Sequence, residues 1–150
     1  MRSTNPVTKS ILQVLLVEDN ASDARLMAEA FEEVNPDVRL MIAADVEQGL
    51  AMLRGLPPYP APIWPALLLL DLNLPRVGGR ELLVAAKNDP RLRSIPIVIL
   101  TTSRVESDVR QCYEYYANSY VQKPLDFAAL IETVRALDTF WLKTATRVPG

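Results

Sequence analysis

The chain has 150 residues, of which 49% are hydrophobic and 23% charged, and its formal net charge is −2. This length allows one domain with a substantial hydrophobic core but not two, and the slightly acidic balance argues against a nucleic-acid-binding surface. One cysteine and no histidine exclude an internal disulfide, a multi-cysteine metal site and an imidazole base.

The chain carries no signal for a membrane or for export. No apolar run approaches the length of a membrane-spanning helix, and the polar first ten residues lack the apolar core of a signal peptide. We therefore expect a cytoplasmic protein that does not interact with membranes. The predicted boundaries are a flexible segment over residues 1–10, a folded domain over 11–142 and a tail over 143–150.

The first third of the chain alternates strands with helices. Residues 13–17 form a short apolar run that predicts a strand. Apolar residues then recur at helical spacing, with Ser22 as the predicted N-cap and Pro36 ending the segment. A second strand is predicted over residues 38–43 and a short helix over 46–54.

A proline-rich segment over residues 55–65 predicts a stiff loop. Residues 66–70 are apolar at every position, which is typical of a strand buried on both faces. A helix is predicted over residues 80–88, and another fully apolar strand over 95–100.

The last third of the chain is predicted to form a helix, a short strand over residues 119–122 and a final helix capped by Asp126. The first of these helices would have one side made of Val105, Val109, Cys112, Tyr113 and Tyr116. The final helix would direct inward Phe127, Leu130, Ile131, Val134, Leu137 and Trp141. Strands that alternate with helices predict a doubly wound α/β fold with a parallel sheet.

Polar residues stand at the carboxyl ends of four predicted strands. They are Glu18, Asp19, Asp71, Thr101 and Lys123. Because ligands of an open parallel sheet bind beyond these strand ends, we expect the five side chains to converge there, with the proline-rich loop at the opposite edge. Each residue alone has a plainer interpretation: Glu18 and Asp19 could form a solvated turn, and Thr101 could simply end a strand.

Three carboxylates at one place repel each other unless a cation compensates them. Glu18, Asp19, Asp71 and the backbone carbonyl of Asn73 offer oxygen ligands only, which suit Mg²⁺, with Mn²⁺ as a substitute. Lys123 can pair with Asp71 before reaction and hold a phosphoryl oxygen after it. Asp71 would then be a nucleophile that forms an acyl phosphate.

Four blocks of sequence together resemble the response regulator receiver family over roughly residues 11–140. The blocks are Leu-Leu-Val-Glu18-Asp19-Asn, Leu-Leu-Asp71-Leu-Asn-Leu-Pro75, Val-Ile-Leu-Thr101-Thr-Ser and Tyr120-Val-Gln-Lys123-Pro124. The resemblance implies a flavodoxin-like sheet of five strands in the order 2-1-3-4-5 with five helices. It also implies Mg²⁺ on the acidic pair, phosphorylation of Asp71, contacts from Thr101 and Lys123 to the phosphoryl group, and a cis bond before Pro124.

The same resemblance assigns further roles. Thr101 and Tyr120 would form a conformational switch, although Tyr120 could also be an ordinary half-buried strand residue. Asn73 and Ser103 occupy the two positions that tune dephosphorylation, and neither is a strong base. The function implied is that of a single-domain response regulator, a phosphoacceptor signalling protein rather than an enzyme with turnover.

Finer details are similar to the small receivers that work with phytochrome kinases. They lie in Cys112-Tyr113, Asn118-Ser-Tyr120 and Phe140-Trp141-Leu142. This similarity implies a sensor histidine kinase as partner, with a phytochrome as a candidate. It also implies a homodimer through helix 4, strand 5, helix 5 and the C-terminal segment, and the predicted contact residues are Tyr113, Tyr116, Phe140 and Trp141.

Two other functions compete with this interpretation. A phosphatase of the haloacid dehalogenase type needs a second Asp two residues after its nucleophile, and Asn73 stands there instead. A receiver that binds partners without phosphorylation would retain its function in an Asp71→Ala variant. The glycines form neither of the common nucleotide-binding loops.

Overall fold

Five strands and five helices alternate along the chain in the computed structural model, which describes residues 11–74 and 78–148. The strands are β1 Gln13–Val17, β2 Arg39–Ala43, β3 Leu67–Leu70, β4 Ile97–Thr101 and β5 Ser119–Gln122. The helices are α1 Ala21–Val34, α2 Val46–Arg54, α3 Gly79–Asn88, α4 Glu106–Glu114 and α5 Phe127–Leu137, and a π-helical segment, Asp138–Thr144, continues α5. The predicted segment 1–10 lies outside the described residues, as does Pro75.

The strands form one parallel sheet in the order β2-β1-β3-β4-β5. This order confirms the predicted doubly wound α/β fold. The order of the strands reverses between β1 and β3. These two strands pair with Val17 opposite Leu70. A crevice for ligands is expected at this point, beyond the carboxyl ends of the strands.

The central strand β3 supplies apolar side chains to both faces of the sheet. Leu68 and Leu70 belong to the core under α2 and α3, whereas Leu67 and Leu69 belong to the core under α1 and α5. All four leucines are fully buried, and each contributes on the order of 1.5–3 kcal/mol through removal of its side chain from water. A sheet held this firmly on both faces provides a rigid base for the residues at its edge.

The start of helix α1 differs from the prediction. Asn20, not Ser22, is the N-cap, and its side chain accepts a hydrogen bond of 2.9 Å from the backbone N–H of Asp23. Asn is as good a cap as Ser, and here it lies directly after the acidic pair that ends β1. The helix therefore begins two residues earlier than expected.

Two predicted helix faces are partly wrong. Helix α4 spans nine residues and buries Cys112 alone, and Val105 and Tyr116 lie outside it. Tyr116 takes a positive φ of 70° just after the helix, so it cannot continue the helical stripe. In α5 the first residue, Phe127, is exposed because it precedes the part of the helix that packs on the sheet.

The predicted cis bond before Pro124 is also wrong. Within the described ranges the cis peptide bond is Pro57–Pro58, and Lys123–Pro124 is trans, the isomer that X–Pro bonds intrinsically favour. The proline-rich loop lies where expected, with Trp64 beside Ile11 and Ser94 at the amino ends of the strands. None of the helices in residues 11–74 and 78–148 is long and apolar enough to cross a membrane.

Candidate functional site

Backbone hydrogen bonds extend the sheet past the ends of its strands. The N–H of Glu18 donates to Ala43 O at 2.9 Å, that of Asp71 to Val17 O at 3.2 Å, and that of Lys123 to Thr101 O at 2.6 Å. Each bond fixes the first residue beyond a strand against its neighbour. The polar residues at these positions therefore start from a common, rigid edge.

The ammonium group of Lys123 lies among three carboxylates. Its Nζ atom is 2.6 Å from Glu18 Oε1, 3.2 Å from Asp71 Oδ2 and 3.4 Å from Asp23 Oδ2. Glu18 is 3% exposed and Asp71 8%, so water screens their negative charges poorly. Lys123 is therefore the internal counterion of the acidic pocket.

Burial and pairing shift two pKa values in this cluster. Burial alone would lower the pKa of Lys123, but its hydrogen bond to Glu18 and the charges of Asp71 and Glu18 outweigh that effect and raise the pKa to about 12. Burial is also the main influence on Glu18 and raises the pKa of its carboxyl group, against the opposing influence of Lys123. Lys123 thus stays charged at neutral pH, and the raised pKa lets Glu18 take up a proton more readily than an ordinary glutamate does.

Close backbone packing shapes the surroundings of Asp71. Its Oδ1 atom accepts a hydrogen bond of 3.1 Å from the N–H of Asn73. A Cβ atom at Gly79 would lie 2.1 Å from the backbone oxygen of Asp71, so no side chain fits there. The first turn of α3 therefore packs directly against the backbone of the residue that is expected to react.

Sequence reasoning missed one member of the acidic pocket, Asp23. It lies in the first turn of α1, where the Asn20 cap brings it within reach of Lys123. An acidic residue three positions after a capping Asn, at the end of a strand, is the signal that could have identified it. Asp19 in contrast is exposed at the rim of the pocket.

The residues predicted to bind a metal lie at the carboxyl edge of the sheet, but their side chains are not yet arranged around an ion. No set of three or more Asp, Glu, Cys or His side chains in residues 11–74 and 78–148 is already arranged to hold an ion. The donors nevertheless fit a hard divalent cation, since Glu18, Asp19 and Asp71 offer carboxylate oxygens only. Asn73, whose carbonyl completes the predicted set, is exposed beside Asp71.

Thr101 and Tyr120 are joined through the loop after β4. Thr101 is fully buried, and its hydroxyl oxygen lies 3.5 Å from the N–H of Ser103. The Tyr120 hydroxyl donates to the backbone oxygen of Ser103 at 3.0 Å. Ser103 thus contacts both residues of the predicted switch.

The two positions predicted to tune dephosphorylation have different surroundings. Asn73 is exposed. The Ser103 hydroxyl donates to Asp108 Oδ2 at 2.6 Å and accepts from the N–H of Val105 at 3.2 Å. Its hydrogen bonds are therefore directed toward α4.

Of the four predicted dimer residues, three are exposed and one is half-buried. Tyr116 is 75% exposed and Phe140 53%. Trp141 is half-buried and meets Phe140 edge to face, with ring centroids 4.9 Å apart. Tyr113 is exposed as well, and its hydroxyl accepts a hydrogen bond of 3.0 Å from the N–H of Tyr120.

Known proteins with similar sequences are response regulators or related regulatory proteins. The sequence profile of the response regulator receiver domain matches residues 14–135. Response regulator Rcp1 of Synechocystis is 41% identical over 133 residues, which cover 89% of this chain and 90% of Rcp1. The probable methanogenesis regulatory protein FilR2 of Methanothrix harundinacea is 42% identical over 137 residues, which cover 91% of this chain and 87% of FilR2.

Solved structures agree in fold along the whole domain. The crystal structure of the Mn²⁺-bound form of Rcp1 has a TM-score of 0.84 and 39% identity, and the match covers 92% of this chain and 99% of that one. The phosphorylated cyanobacterial phytochrome response regulator RcpA has a TM-score of 0.88 and 37% identity, with 93% of this chain and 100% of that one covered.

Proposed function

This chain belongs to the response regulator receiver family, and from that premise we propose that Asp71 is its phosphoacceptor. The observation that carries the proposal is the contact between the buried Asp71 carboxylate and the Lys123 ammonium, 3.2 Å apart at the switch point of the sheet. A carboxylate held beside a permanent positive charge needs no general base to act as a nucleophile.

The Lys123 ammonium already lies beside Asp71, where the phosphoryl group would be transferred. An oxygen of Asp71 attacks the phosphorus atom, the bond from phosphorus to the donor breaks, and the donor leaves with the electron pair. Lys123 stays within reach of the new acyl phosphate and neutralises part of its charge, and the Thr101 hydroxyl donates to another phosphoryl oxygen. Because its N–H already points at Thr101, Ser103 helps to orient that hydroxyl.

Glu18, Asp19, Asp71 and the Asn73 carbonyl are proposed to hold a divalent cation, Mg²⁺ or Mn²⁺. When bound, the cation neutralises negative charge on the phosphoryl oxygens. The Mn²⁺-bound form of Rcp1 supports the proposal by analogy. Lys123 contacts both Glu18 and Asp71, so it holds together two of the carboxylates that would bind the cation.

We propose a sensor histidine kinase as the phosphoryl donor, with a phytochrome as the first candidate because RcpA is a phytochrome response regulator. FilR2, which is 42% identical, is a probable methanogenesis regulatory protein, so kinases with other input signals are tested alongside phytochromes. Exposed apolar groups line the rim of the site on the α1 and α5 side, notably Leu125, which is 93% exposed, with Leu26 and Phe127. These side chains form a surface on which a kinase domain could dock next to Asp71.

The output is proposed to be a change at the face formed by α4, β5 and α5. Tyr120 connects the site to this face, since its hydroxyl contacts Ser103 and its N–H contacts Tyr113. A phosphoryl group that draws Thr101 toward Asp71 would move Ser103 and so change the position of Tyr120. We propose that this face, with Phe140 and Trp141, forms a homodimer.

Transfer of radioactive phosphate from acetyl phosphate and from candidate kinases, with Mg²⁺ present, tests the proposal. Wild-type protein and the matched control Asp37→Asn, an exposed aspartate remote from the site, should be labelled equally. Asp71→Asn should not be labelled. Equal labelling of the Asp71→Asn variant would overturn the assignment.

A further inference from the structure

A second polar cluster lies next to the phosphoacceptor site, between α3, α4 and β5. We call it the α3–α4 cluster, and it comprises Arg80, Ser103, Asp108 and Tyr120. Arg80 on α3 is ion-paired with Asp108 on α4. The other oxygen of Asp108 accepts a hydrogen bond of 2.6 Å from the Ser103 hydroxyl, and the backbone oxygen of Ser103 accepts one of 3.0 Å from Tyr120.

The α3–α4 cluster contacts the phosphoacceptor site at both ends. Arg80 follows Gly79, whose backbone packs against the backbone of Asp71. Ser103, at the other end, holds its N–H toward the hydroxyl oxygen of Thr101. Asp108 is the member that joins the two ends, because it alone bonds to both Arg80 and Ser103.

The cluster is only partly accessible to water. The side chains of Arg80 and Asp108 are about one-third and one-quarter exposed, and within the described part of the chain Arg80 Nε is buried without a hydrogen-bond partner. The pair is therefore better protected from solvent than Glu106 and Arg110, which form an exposed ion pair on the same helix.

We propose that Asp108 is a positioning residue for phosphorylation. It holds Ser103, and through it the loop after β4, in the place from which Thr101 donates to the phosphoryl group. Arg80 fixes Asp108 from α3. The inference rests on the proposed phosphorylation of Asp71 and adds to it the residues that set its rate from outside the acidic pocket.

Asp108→Asn is the main test, because the amide keeps the shape of the carboxylate and loses its charge. We expect the rate of phosphorylation at saturating acetyl phosphate to fall roughly tenfold, the loss typical of one hydrogen bond to a charged group. Affinity for beryllofluoride, a phosphoryl mimic, should fall by a similar factor. Affinity for Mg²⁺ alone, measured by calorimetry, should not change, since Glu18 and Asp19 are not in the α3–α4 cluster.

Further variants test whether Asp108 acts through Arg80 and Ser103. Arg80→Gln should reproduce the loss seen in Asp108→Asn, and the double variant should lose little more, because the two residues act through one ion pair. Ser103→Ala removes the hydroxyl that Asp108 holds, so its rate should fall by a similar factor. Glu106→Gln, which removes the exposed pair on α4, is the matched control and should react like wild type.

The results distinguish a failure of the role proposed for Asp108 from a failure of the proposed function. If wild-type protein is labelled on Asp71 and Asp108→Asn reacts at the wild-type rate, the role of Asp108 is overturned while the proposed function stands. The role is equally overturned if the Arg80→Gln and Asp108→Asn losses multiply in the double variant, or if Mg²⁺ affinity falls in parallel. If wild-type protein is not labelled at all, the proposed function fails first.

Discussion

Glu18 and Asp71, at the carboxyl edge of the sheet, are almost completely buried, whereas Tyr116 and Phe140, on the α4–β5–α5 face, are largely exposed. Backbone hydrogen bonds that continue the sheet hold the first region in place, and the partly buried ammonium group of Lys123 compensates its negative charges. The second is built on a nine-residue helix that buries a single side chain, Cys112. A reaction site held in place by backbone hydrogen bonds thus contrasts with an exposed surface on which few side chains are buried.

Of the substitutions considered, one at Lys123 in the buried site should have the largest effect on stability. Lys123→Met leaves Glu18 and Asp71 as buried carboxylates without their counterion, and the free energy of unfolding at pH 7 should fall by about 3–5 kcal/mol. The loss should shrink as the pH is lowered, because the raised pKa of Glu18 lets it take up a proton. Urea unfolding measures both effects.

Arg110→Met removes an exposed cation from α4 and is the control; its stability should stay within about 0.5 kcal/mol of wild type. A Lys123→Met protein as stable as this control would show that the acidic pocket needs no internal counterion.

Alkaline pH tests the same ion cluster without mutation. Folding raises the pKa of Lys123 from 10.5 to about 12, so its stabilising contribution is complete below pH 10.5 and is lost as the pH rises through 12. The difference in unfolding free energy between wild type and Lys123→Met should therefore narrow by about 2 kcal/mol over this range. A difference that stays constant from pH 9 to 12 would contradict the assigned pKa.

Two adjacent glycines give a matched pair next to Asp71. A Cβ atom at Gly79 would lie 2.1 Å from the Asp71 backbone oxygen, whereas one at Gly78 would meet Leu72 O at an ordinary 3.6 Å. Gly79→Ala should lower the free energy of unfolding by about 1–3 kcal/mol, and Gly78→Ala should change it by less than about 0.5 kcal/mol. Thermal unfolding followed by circular dichroism measures both, and equal effects would show that α3 does not pack on Asp71 as described.

On the α4–β5–α5 face the expected effect is on association, not on folding. Phe140→Ser should change the free energy of unfolding by less than about 0.5 kcal/mol, since the ring is already half in water, and should weaken dimerisation in sedimentation experiments. Ile42→Ser, an exposed residue of β2 at the opposite edge of the sheet, is the control and should leave dimerisation unchanged. Identical association of wild type and Phe140→Ser would argue that the dimer, if present, uses another surface.

The sequence allowed the sheet and its polar edge to be predicted because both follow from short-range patterns. Runs such as Leu67–Leu70 identify buried strands, and parallel strands bring Glu18, Asp71 and Lys123 to one edge wherever the loops run. The geometry within that edge was less predictable. Asp23 joins the pocket through a helix cap at Asn20, and the strongest contact of Lys123 is with Glu18, not with Asp71.

Features that depend on packing between distant segments were missed or mistaken. The ion pair of Arg80 and Asp108 joins two helices that the sequence gives no reason to pair. The π-helical segment Asp138–Thr144 has no pattern of its own. The exposure of Phe127 depends on where α5 first meets the sheet, which its apolar spacing does not reveal.

The central claim is that one carboxylate, Asp71, receives the phosphoryl group. Borohydride converts an acyl phosphate into an alcohol, so treatment of acetyl-phosphate-labelled protein followed by peptide mass mapping identifies the residue directly. We expect reduction at Asp71 alone, and no reduction without Mg²⁺ or in the Asp71→Asn variant. Reduction at Glu18, Asp19 or Asp23 with Asp71 intact would contradict it.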